Sequence, residues 1–219
     1  MKYRYILFLM LFSVGFSLTA QQQGKVISHY LFPSFVEGTV LLKNGTRNPA
    51  MLNYNAASEE MVFDQNGQML AIADVTINQI DTVFVSNKKF IVRDKKFAEV
   101  LLDDPRYKLL AEHKCRVIPP AKPAAYGGTS QTSSTTSYSS WMGDGKVYQL
   151  QLPDDFKVNP YTVYWLNTGS VWKSFTSIGQ IKKFYSKKKA LYKKYTDEQK
   201  VNFEDQASVA HLIHYMETN

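Results

Sequence analysis

The sequence has very little cysteine and lacks the best-known catalytic motifs. Cys115 is its single cysteine, so no disulfide can form within the chain. A protein of this size without disulfides must be stabilised by its hydrophobic core. A glycine-rich phosphate loop, a His-Glu-x-x-His zinc motif and a Gly-x-Ser-x-Gly nucleophile motif are all missing. We therefore expect no catalytic site, no cofactor and no metal.

Long apolar runs are missing after the first twenty residues. Lys2 and Arg4 precede an apolar run over residues 5–18, and small residues ending at Ala20 follow it. This layout is typical of a secretory signal peptide cleaved after about Ala20. A retained membrane anchor is the alternative, but the run is shorter than the roughly 20 residues that a spanning helix needs. We expect residues 1–20 to be removed and the protein to be periplasmic or secreted, with no transmembrane segment after cleavage.

Turn signals break residues 36–118 into short apolar segments. Asn44-Gly45 and Asn66-Gly67 are the clearest turns, because an Asn-Gly pair allows the positive φ angles of a two-residue type I′ turn. Pro49 cannot donate a ladder hydrogen bond, so its strand is expected to be bulged or at an edge. The predicted hairpins pair residues 36–43 with 46–54, 60–64 with 68–73, and 82–85 with 89–93.

Further strands are predicted at residues 97–102, 107–118, 146–152 and 162–166. The second of these alternates clearly and predicts one buried face and one wet face. Its buried side consists of Tyr107, Leu109, Ala111, His113, Cys115 and Val117, and its wet side carries Lys108, Glu112, Lys114 and Arg116.

This spacing of strands, with no helical periods between them, predicts an α+β fold. We expect an antiparallel β-meander curled into a roll, barrel or sandwich, followed by C-terminal α-helices. The β-rich domain covers residues 21–173 and the helical segment residues 174–219. The composition of residues 119–144 predicts a flexible Ser/Thr/Gly-rich insertion. This segment has too few apolar side chains to offset the entropy that it would lose on becoming ordered.

Helical patterns occupy the C-terminal segment. Ser177 and Gln180 match a capping box, in which the glutamine reaches back to the start of the helix. Asp205 is a good N-cap for a last helix that ends near Met216. Ile178, Ile181, Phe184, Tyr185, Leu191, Tyr192 and Tyr195 form the apolar side of the first pattern, and Val209, Leu212, Ile213 and Met216 form the stripe of the last.

Several short segments stand out along the chain. They are Phe-Val-Glu-Gly-Thr-Val at 35–40, Leu-Asn-Tyr-Asn at 52–55, Ile-Asp-Thr-Val at 80–83 and Phe-Ala-Glu-Val-Leu at 97–101, with the tail from the lysines at 187–189 through Val-Asn-Phe at 201–203. Together they resemble a group of uncharacterised secreted proteins of Bacteroidetes-type bacteria. The resemblance covers most of the mature chain. It implies an envelope location and no particular chemistry, since the group has no established activity.

His113 and Cys115 are the candidate catalytic pair. They are two residues apart on a predicted strand, so they share a face, and a cysteine beside a histidine is the minimum for a thiol-dependent enzyme. That face is the apolar one, however, and a buried thiol is inert. Packing in the core is the favoured interpretation.

His211, His214 and Glu217 have a helical spacing that could hold a metal. They lie away from the apolar stripe of the last helix, on its solvent face. Other ligands are lacking on that face, so we expect no metal there. The acidic pairs Asp103-Asp104 and Asp154-Asp155 could act in acid and base chemistry or bind Ca²⁺. Their positions beside prolines at strand ends favour ordinary turn chemistry.

Positive charge is concentrated in one segment. The chain carries a formal net charge of +7, and residues 174–200 contain eight lysines against Asp197 and Glu198. A basic amphipathic helix can bind a polyanion or an anionic membrane surface. The alternative, which we favour, is that these lysines are only the solvent-exposed face of a helix that docks through its aromatic residues. The candidate polyanion-binding residues are Lys182, Lys183, Lys187, Lys188, Lys189, Lys193 and Lys194.

Taken together, these patterns predict an exported, non-catalytic protein of the bacterial envelope that binds a protein or glycan partner. A polyanion- or membrane-surface-binding protein that uses the lysines of residues 182–200 is the second hypothesis. A thiol-dependent enzyme is the third hypothesis. We do not expect nucleic acid to be the ligand, because the aromatic residues of the basic segment are needed for docking.

Overall fold

The computed structural model describes residues 28–118, 122–123, 129–130, 156–169 and 171–219. The predicted signal peptide, the predicted strand at residues 146–152 and the Asp154-Asp155 pair lie outside these residues. Of the predicted insertion at residues 119–144, only two pairs of residues are described. These are β9 (Lys122–Pro123) and β10 (Thr129–Ser130), which pair with each other.

Ten strands form one antiparallel sheet. They are β1 (Val36–Leu42), β2 (Arg47–Asn55), β3 (Glu60–Gln65), β4 (Gln68–Ala71), β5 (Ile80–Val85), β6 (Lys88–Arg93), β7 (Lys96–Asp103), β8 (Lys108–Ile118), β11 (Lys157–Asn167) and β12 (Trp172–Phe175). Their order across the sheet is β12-β11-β8-β7-β6-β5-β1-β2-β3-β4. The predicted α+β meander is confirmed. Among the described residues β12 and β4 are unjoined edges, so the sheet does not close into a barrel.

The two Asn-Gly turns differ. Asn66 and Gly67 have φ angles of 55° and 84°, which confirms the type I′ turn between β3 and β4. The type I′ prediction is wrong for Asn44-Gly45, because only Gly45 has a positive φ angle. The Asn44 side chain instead accepts a hydrogen bond from the backbone N–H of Thr46 at 2.9 Å and stabilises a longer loop.

Pro49 lies where β2 has a single partner. It pairs with Thr39 of β1, while the ladder between β2 and β3 begins only at Met51. This part of β2 is therefore a local edge, which is the position expected of a strand proline.

Two clusters of buried side chains form the core. The first lies on the strands β1 to β8 and includes Leu52, Tyr54, Met61, Ile80, Val83, Phe90, Phe97, Cys115 and Val117. The second joins β8, β11 and β12 to the C-terminal helices and includes Leu109, Tyr164, Leu166, Phe175, Ile181, Tyr185, Tyr192 and the whole predicted stripe of the last helix.

Among the described residues, four α-helices accompany the sheet. They are α1 (Asp74–Ile77), α2 (Ile178–Phe184), α3 (Lys189–Glu198) and α4 (Gln206–Thr218), and a 3₁₀ helix (Tyr185–Lys188) joins α2 to α3. In the part of the chain that the structure describes, no helix has the length and apolar character needed to span a bilayer.

The two predicted helix starts have different outcomes. Asp205 accepts a hydrogen bond from the backbone N–H of Ala207 at 3.0 Å, which confirms the cap of α4. Ser177 is the N-cap of α2, but its side chain makes no capping bond. The predicted capping box is therefore wrong in its partners, since Gln180 Oε1 accepts from the backbone N–H of Thr176 at 2.6 Å.

The polar face of β8 is less wet than its alternation predicts. Leu110 is 0% exposed and Glu112 only 8% exposed, although both point away from the face that carries His113 and Cys115. β8 is a central strand, and the guanidinium of Arg93 stacks on Trp165, the neighbour of Leu110 in β11. These long side chains cover the face and exclude water from it.

Candidate functional site

An open groove of about 510 Å³ lies where the β7–β8 and β11–β12 connections meet. Hairpin loops at one edge of a sheet are common positions for binding sites, since a rigid scaffold holds their side chains. The groove residues that could contact a ligand through polar or aromatic groups are Asp103, Asp104, Arg106, Lys108, Asn167 and Trp172.

Sheet register places four of these residues in one row. Asp103 pairs with Lys108 across β7 and β8, Lys108 pairs with Asn167 across β8 and β11, and Asn167 pairs with Trp172 across β11 and β12. Directly opposed residues of adjacent antiparallel strands lie about 5 Å apart. The row therefore brings a carboxylate, an ammonium, an amide and an indole together from residues far apart in the sequence.

Ion pairs hold the acidic side of the groove in its charged form. Asp103 accepts from Lys108 Nζ at 2.9 Å and from Lys89 Nζ at 3.0 Å. These two hydrogen bonds hold the pKa of the Asp103 carboxyl below its ordinary value. Asp104 accepts from the Arg106 side chain at 3.1 Å and from its backbone N–H at 2.9 Å, which likewise lowers the pKa of Asp104.

Trp172 is the aromatic wall of the groove and is partly exposed. The Arg93 guanidinium carbon lies 5.5 Å from the centre of the Trp172 ring and 3.7 Å from that of Trp165. Arg93 is itself fixed by Glu112 at 3.0 Å and by Asp94 at 3.2 Å. The cation thus stabilises the orientation of both rings from one side.

This arrangement suits a ligand that carries many hydroxyl groups. An aromatic ring can pack against the C–H face of a sugar, while carboxylates accept and ammonium or guanidinium groups donate hydrogen bonds to hydroxyls. A few fixed polar groups beside an apolar wall are the usual composition of a small-molecule site.

A second open groove lies over β1, β2 and β5. Its volume is about 580 Å³, and it is lined by Glu37, Thr39, Met51 and Phe84 among others. Met51 and Phe84 are 40% and 36% exposed, so this groove is the more apolar of the two in its accessible side chains. It carries no ion pair among the described residues that line it.

His113 and Cys115 lie on one face of β8, as predicted, but they do not form a catalytic pair. Both are buried in the core. The ring of His113 bonds to Glu99 at 2.7 Å, while the thiol of Cys115 donates to the backbone carbonyl of Arg116 at 3.6 Å. Burial raises the pKa of the Cys115 thiol to about 11, so it stays protonated near neutral pH.

The histidines of α4 also have other roles than a metal site. His211 and His214 are exposed, as predicted. His214 Nδ1 lies 2.6 Å from the hydroxyl of Tyr107, and Glu217 accepts from the hydroxyl of Tyr185 at 2.6 Å. Within the described residues no group of three or more potential ligands could hold a metal ion.

The candidate polyanion-binding lysines all lie on the surface. They follow one another along α2, the 3₁₀ helix and α3, whose aromatic residues face the second core cluster. Lys193 pairs with Asp197, and Lys188 donates to the carbonyl of Met216 at 2.6 Å. The other five make no ion pair or hydrogen bond with a described residue.

Sequence reasoning identified the acidic pair of the groove but missed Asn167 and Trp172. Neither belongs to a motif, and their meeting with Asp103 depends on the register of four strands. A scan for a local signal would not find such a row.

No protein-family model matches the sequence, and neither a curated protein nor a solved structure is similar enough to match it.

Proposed function

We propose that this chain is an exported, non-catalytic protein of the bacterial envelope that binds a glycan in the groove beside Trp172. The observation that carries the proposal is the row from Asp103 to Trp172, which sets an accessible indole beside charged and amide groups. Export is supported by the signal-like layout of residues 1–20 and by the resemblance to secreted Bacteroidetes-type proteins.

The chemistry of the groove favours a glycan over a protein. Specific protein interfaces are depleted of aspartate and lysine at their centres, whereas this groove has both beside Trp172, the partly exposed aromatic ring among the described lining residues. The groove over Met51 and Phe84 suits an apolar partner better, but it offers no fixed polar group to orient one.

The non-catalytic part of the proposal rests on the state of Cys115 and His113. The thiol is buried and protonated, and the imidazole is bonded to Glu99. A nucleophile needs an accessible thiolate and a base that can reach it.

We also propose that the sheet is curled into a roll around the first core cluster. Glu59, in the turn after β2, bonds to Lys96 of β7 at 2.8 Å and to Lys114 of β8 at 2.7 Å. The hydroxyl of Tyr54 donates to the backbone carbonyl of His113 at 3.2 Å. β2 and β8 are five places apart in the sheet, so these contacts favour a strongly curved sheet over an open one.

Binding is tested with the mature protein on an array of bacterial polysaccharides and peptidoglycan fragments, followed by calorimetry with the glycans that bind. We expect binding by the wild type and a loss of at least about tenfold in affinity for Trp172→Ala, because the aromatic wall is removed. Arg106→Ala is a second variant; its side chain is 66% exposed, so the change leaves the core intact.

Phe84→Ala is the matched control, since it removes an exposed aromatic ring from the other groove. It should bind glycans as the wild type does. The proposal is wrong if no glycan binds, or if Trp172→Ala and Arg106→Ala both bind glycans like the wild type. Export is tested separately by N-terminal sequencing of the protein from the periplasm, where a chain beginning near Gln21 is expected.

A further inference from the structure

The C-terminal segment carries several exposed lysines and few counter-charges. We define the lysine surface as Lys182, Lys183, Lys187, Lys189 and Lys194, the five exposed lysines that make no ion pair or hydrogen bond with a described residue. An ion pair offsets the charge of Lys193, and a hydrogen bond to a backbone carbonyl holds the ammonium of Lys188 in place. Within the described residues, the ammonium groups of the other five are not engaged in such contacts.

The lysines are spread along the chain and are not gathered at one point. Residues 182–194 run through three successive short helices, α2, the 3₁₀ helix and α3. A single phosphate or a small anion needs converging donors. Lysines spread over this length suit a ligand whose negative charges are also spread over a surface.

Most of the apolar surface of the same segment faces the core. Ile181, Tyr185 and Tyr192 are buried, and Phe184, Leu191 and Tyr195 are partly buried against the second core cluster. This packing leaves little ring surface for stacking on nucleic bases, which is a main contribution to the binding of single strands. It also leaves little apolar surface for insertion into a bilayer, so we expect contact with a membrane to be mainly electrostatic and peripheral.

From these observations we propose that the lysine surface binds the anionic headgroups of a phospholipid bilayer without inserting into it. The choice of a bilayer over a soluble polyanion rests on the proposed export, which places the chain beside a membrane. The glycan groove lies on other elements of the fold, and the two sites are independent.

The test measures binding of the mature protein to vesicles by sedimentation. Vesicles of phosphatidylcholine with about one quarter phosphatidylglycerol should bind the protein, and vesicles of phosphatidylcholine alone should not. Raising the salt from about 50 to 500 mM should reduce partitioning by at least about tenfold, because the Debye length shortens. The intrinsic fluorescence spectrum should not shift, since no ring enters the bilayer.

The variant that tests the site combines Lys187→Gln, Lys189→Gln and Lys194→Gln. Its matched control combines Lys95→Gln, Lys157→Gln and Lys173→Gln, three exposed lysines elsewhere that form no ion pair among the described residues. Both change the net charge equally. We expect partitioning to fall at least about tenfold in the first and to change little in the second.

Three outcomes would overturn the proposal. The first is an equal loss of vesicle partitioning in both triple variants, which would indicate an effect of net charge alone. The second is no binding to the anionic vesicles. The third is binding to heparin or DNA through the same lysines without binding to vesicles. Trp172→Ala should leave vesicle binding unchanged, so failure at either site can be recognised without the other.

Discussion

His113 Nε2 donates a hydrogen bond to Glu99 Oε2 at 2.7 Å, and both side chains are buried where the sheet meets the first turn of α4. Lys88 Nζ donates to the other carboxylate oxygen at 2.6 Å. Gln206 is the first residue of α4. Its Oε1 accepts from Lys88 Nζ at 3.3 Å, and its Nε2 lies 3.3 Å from His113 Nδ1. The Glu99 carboxylate therefore joins β6, β7 and β8, and Gln206 connects α4 to the network through Lys88 and His113.

Replacing Glu99 should reveal how much this network stabilises the fold. Burial raises the pKa of the Glu99 carboxyl, but the hydrogen bonds from His113 and Lys88 outweigh it and hold the pKa below the ordinary 4.5. A carboxyl whose pKa is lower in the folded state stabilises the fold fully above its unfolded pKa, and this contribution disappears as the pH falls through the folded pKa. We expect Glu99→Gln to lower the free energy of unfolding by about 2 kcal/mol at neutral pH.

Urea unfolding at several pH values checks this prediction. The difference in the free energy of unfolding between the wild type and Glu99→Gln should shrink as the pH falls below about 5, because protonation removes the same charge from the wild type. Glu37→Gln is the control, since Glu37 is exposed and makes no ion pair among the described residues. Equal stability of Glu99→Gln and wild type at neutral pH would contradict the role given to the network.

The pairing of His113 shows where the limits of sequence reasoning lie. The alternation of β8 correctly placed His113 and Cys115 on a buried face. Glu99 lies 14 positions away on β7, and its meeting with His113 depends on the register of β7 against β8, which shifts between Val100 and Leu102. A strand pattern predicts the face of a residue but not its neighbour on the next strand.

The turns also separate what the sequence can predict from what it cannot. Asn66-Gly67 was predictable because its residue types favour the positive φ angles that the turn needs. Asp94 and Lys95 also have positive φ angles, 50° and 62°, although Asp-Lys lacks the glycine that marks a two-residue turn in the sequence. The ladder between β6 and β7, which pairs Arg93 with Lys96, imposes this conformation. The lysine-rich segment, in contrast, was found at once because its signal is local.

The thiol of Cys115 should be unreactive in the folded protein. Its side chain is buried, and burial raises its pKa to about 11, so at pH 8 it is both protonated and inaccessible. We expect alkylation by iodoacetamide to be at least about a hundredfold slower than in the denatured chain, and to proceed only as fast as the protein opens. Mass spectrometry over time measures the reaction.

Ser174→Cys provides an internal reference for that measurement. Ser174 is exposed on β12, so the variant carries one accessible thiol beside the buried one. Its new thiol should react quickly and Cys115 slowly within the same sample. Rapid modification of Cys115 in native protein would reopen the hypothesis of a thiol-dependent enzyme.

Gly38 occupies a position of β1 where a side chain does not fit. A Cβ atom added there would lie 2.6 Å from the backbone carbonyl oxygen of Phe84 and 2.7 Å from Cδ1 of Leu52. The leucine can shift slightly, but the carbonyl belongs to β5, which pairs with β1 at this point. Gly38→Ala must therefore separate two strands in the middle of the sheet, and we expect it to lower the free energy of unfolding by about 1 to 3 kcal/mol.

Gly179→Ala is the matched control for that substitution. The nearest atom to a Cβ at Gly179 is the Ser177 hydroxyl oxygen at 3.9 Å, and the residue lies in α2. Alanine should stabilise that helix by about 0.5 to 1 kcal/mol, because it loses less backbone entropy than glycine. The two variants should thus shift the urea midpoint in opposite directions with the same m-value. Wild-type stability of Gly38→Ala would mean that β1 and β5 do not approach each other as closely as the structure indicates, whereas a loss of stability in Gly179→Ala would contradict only the expectation for α2.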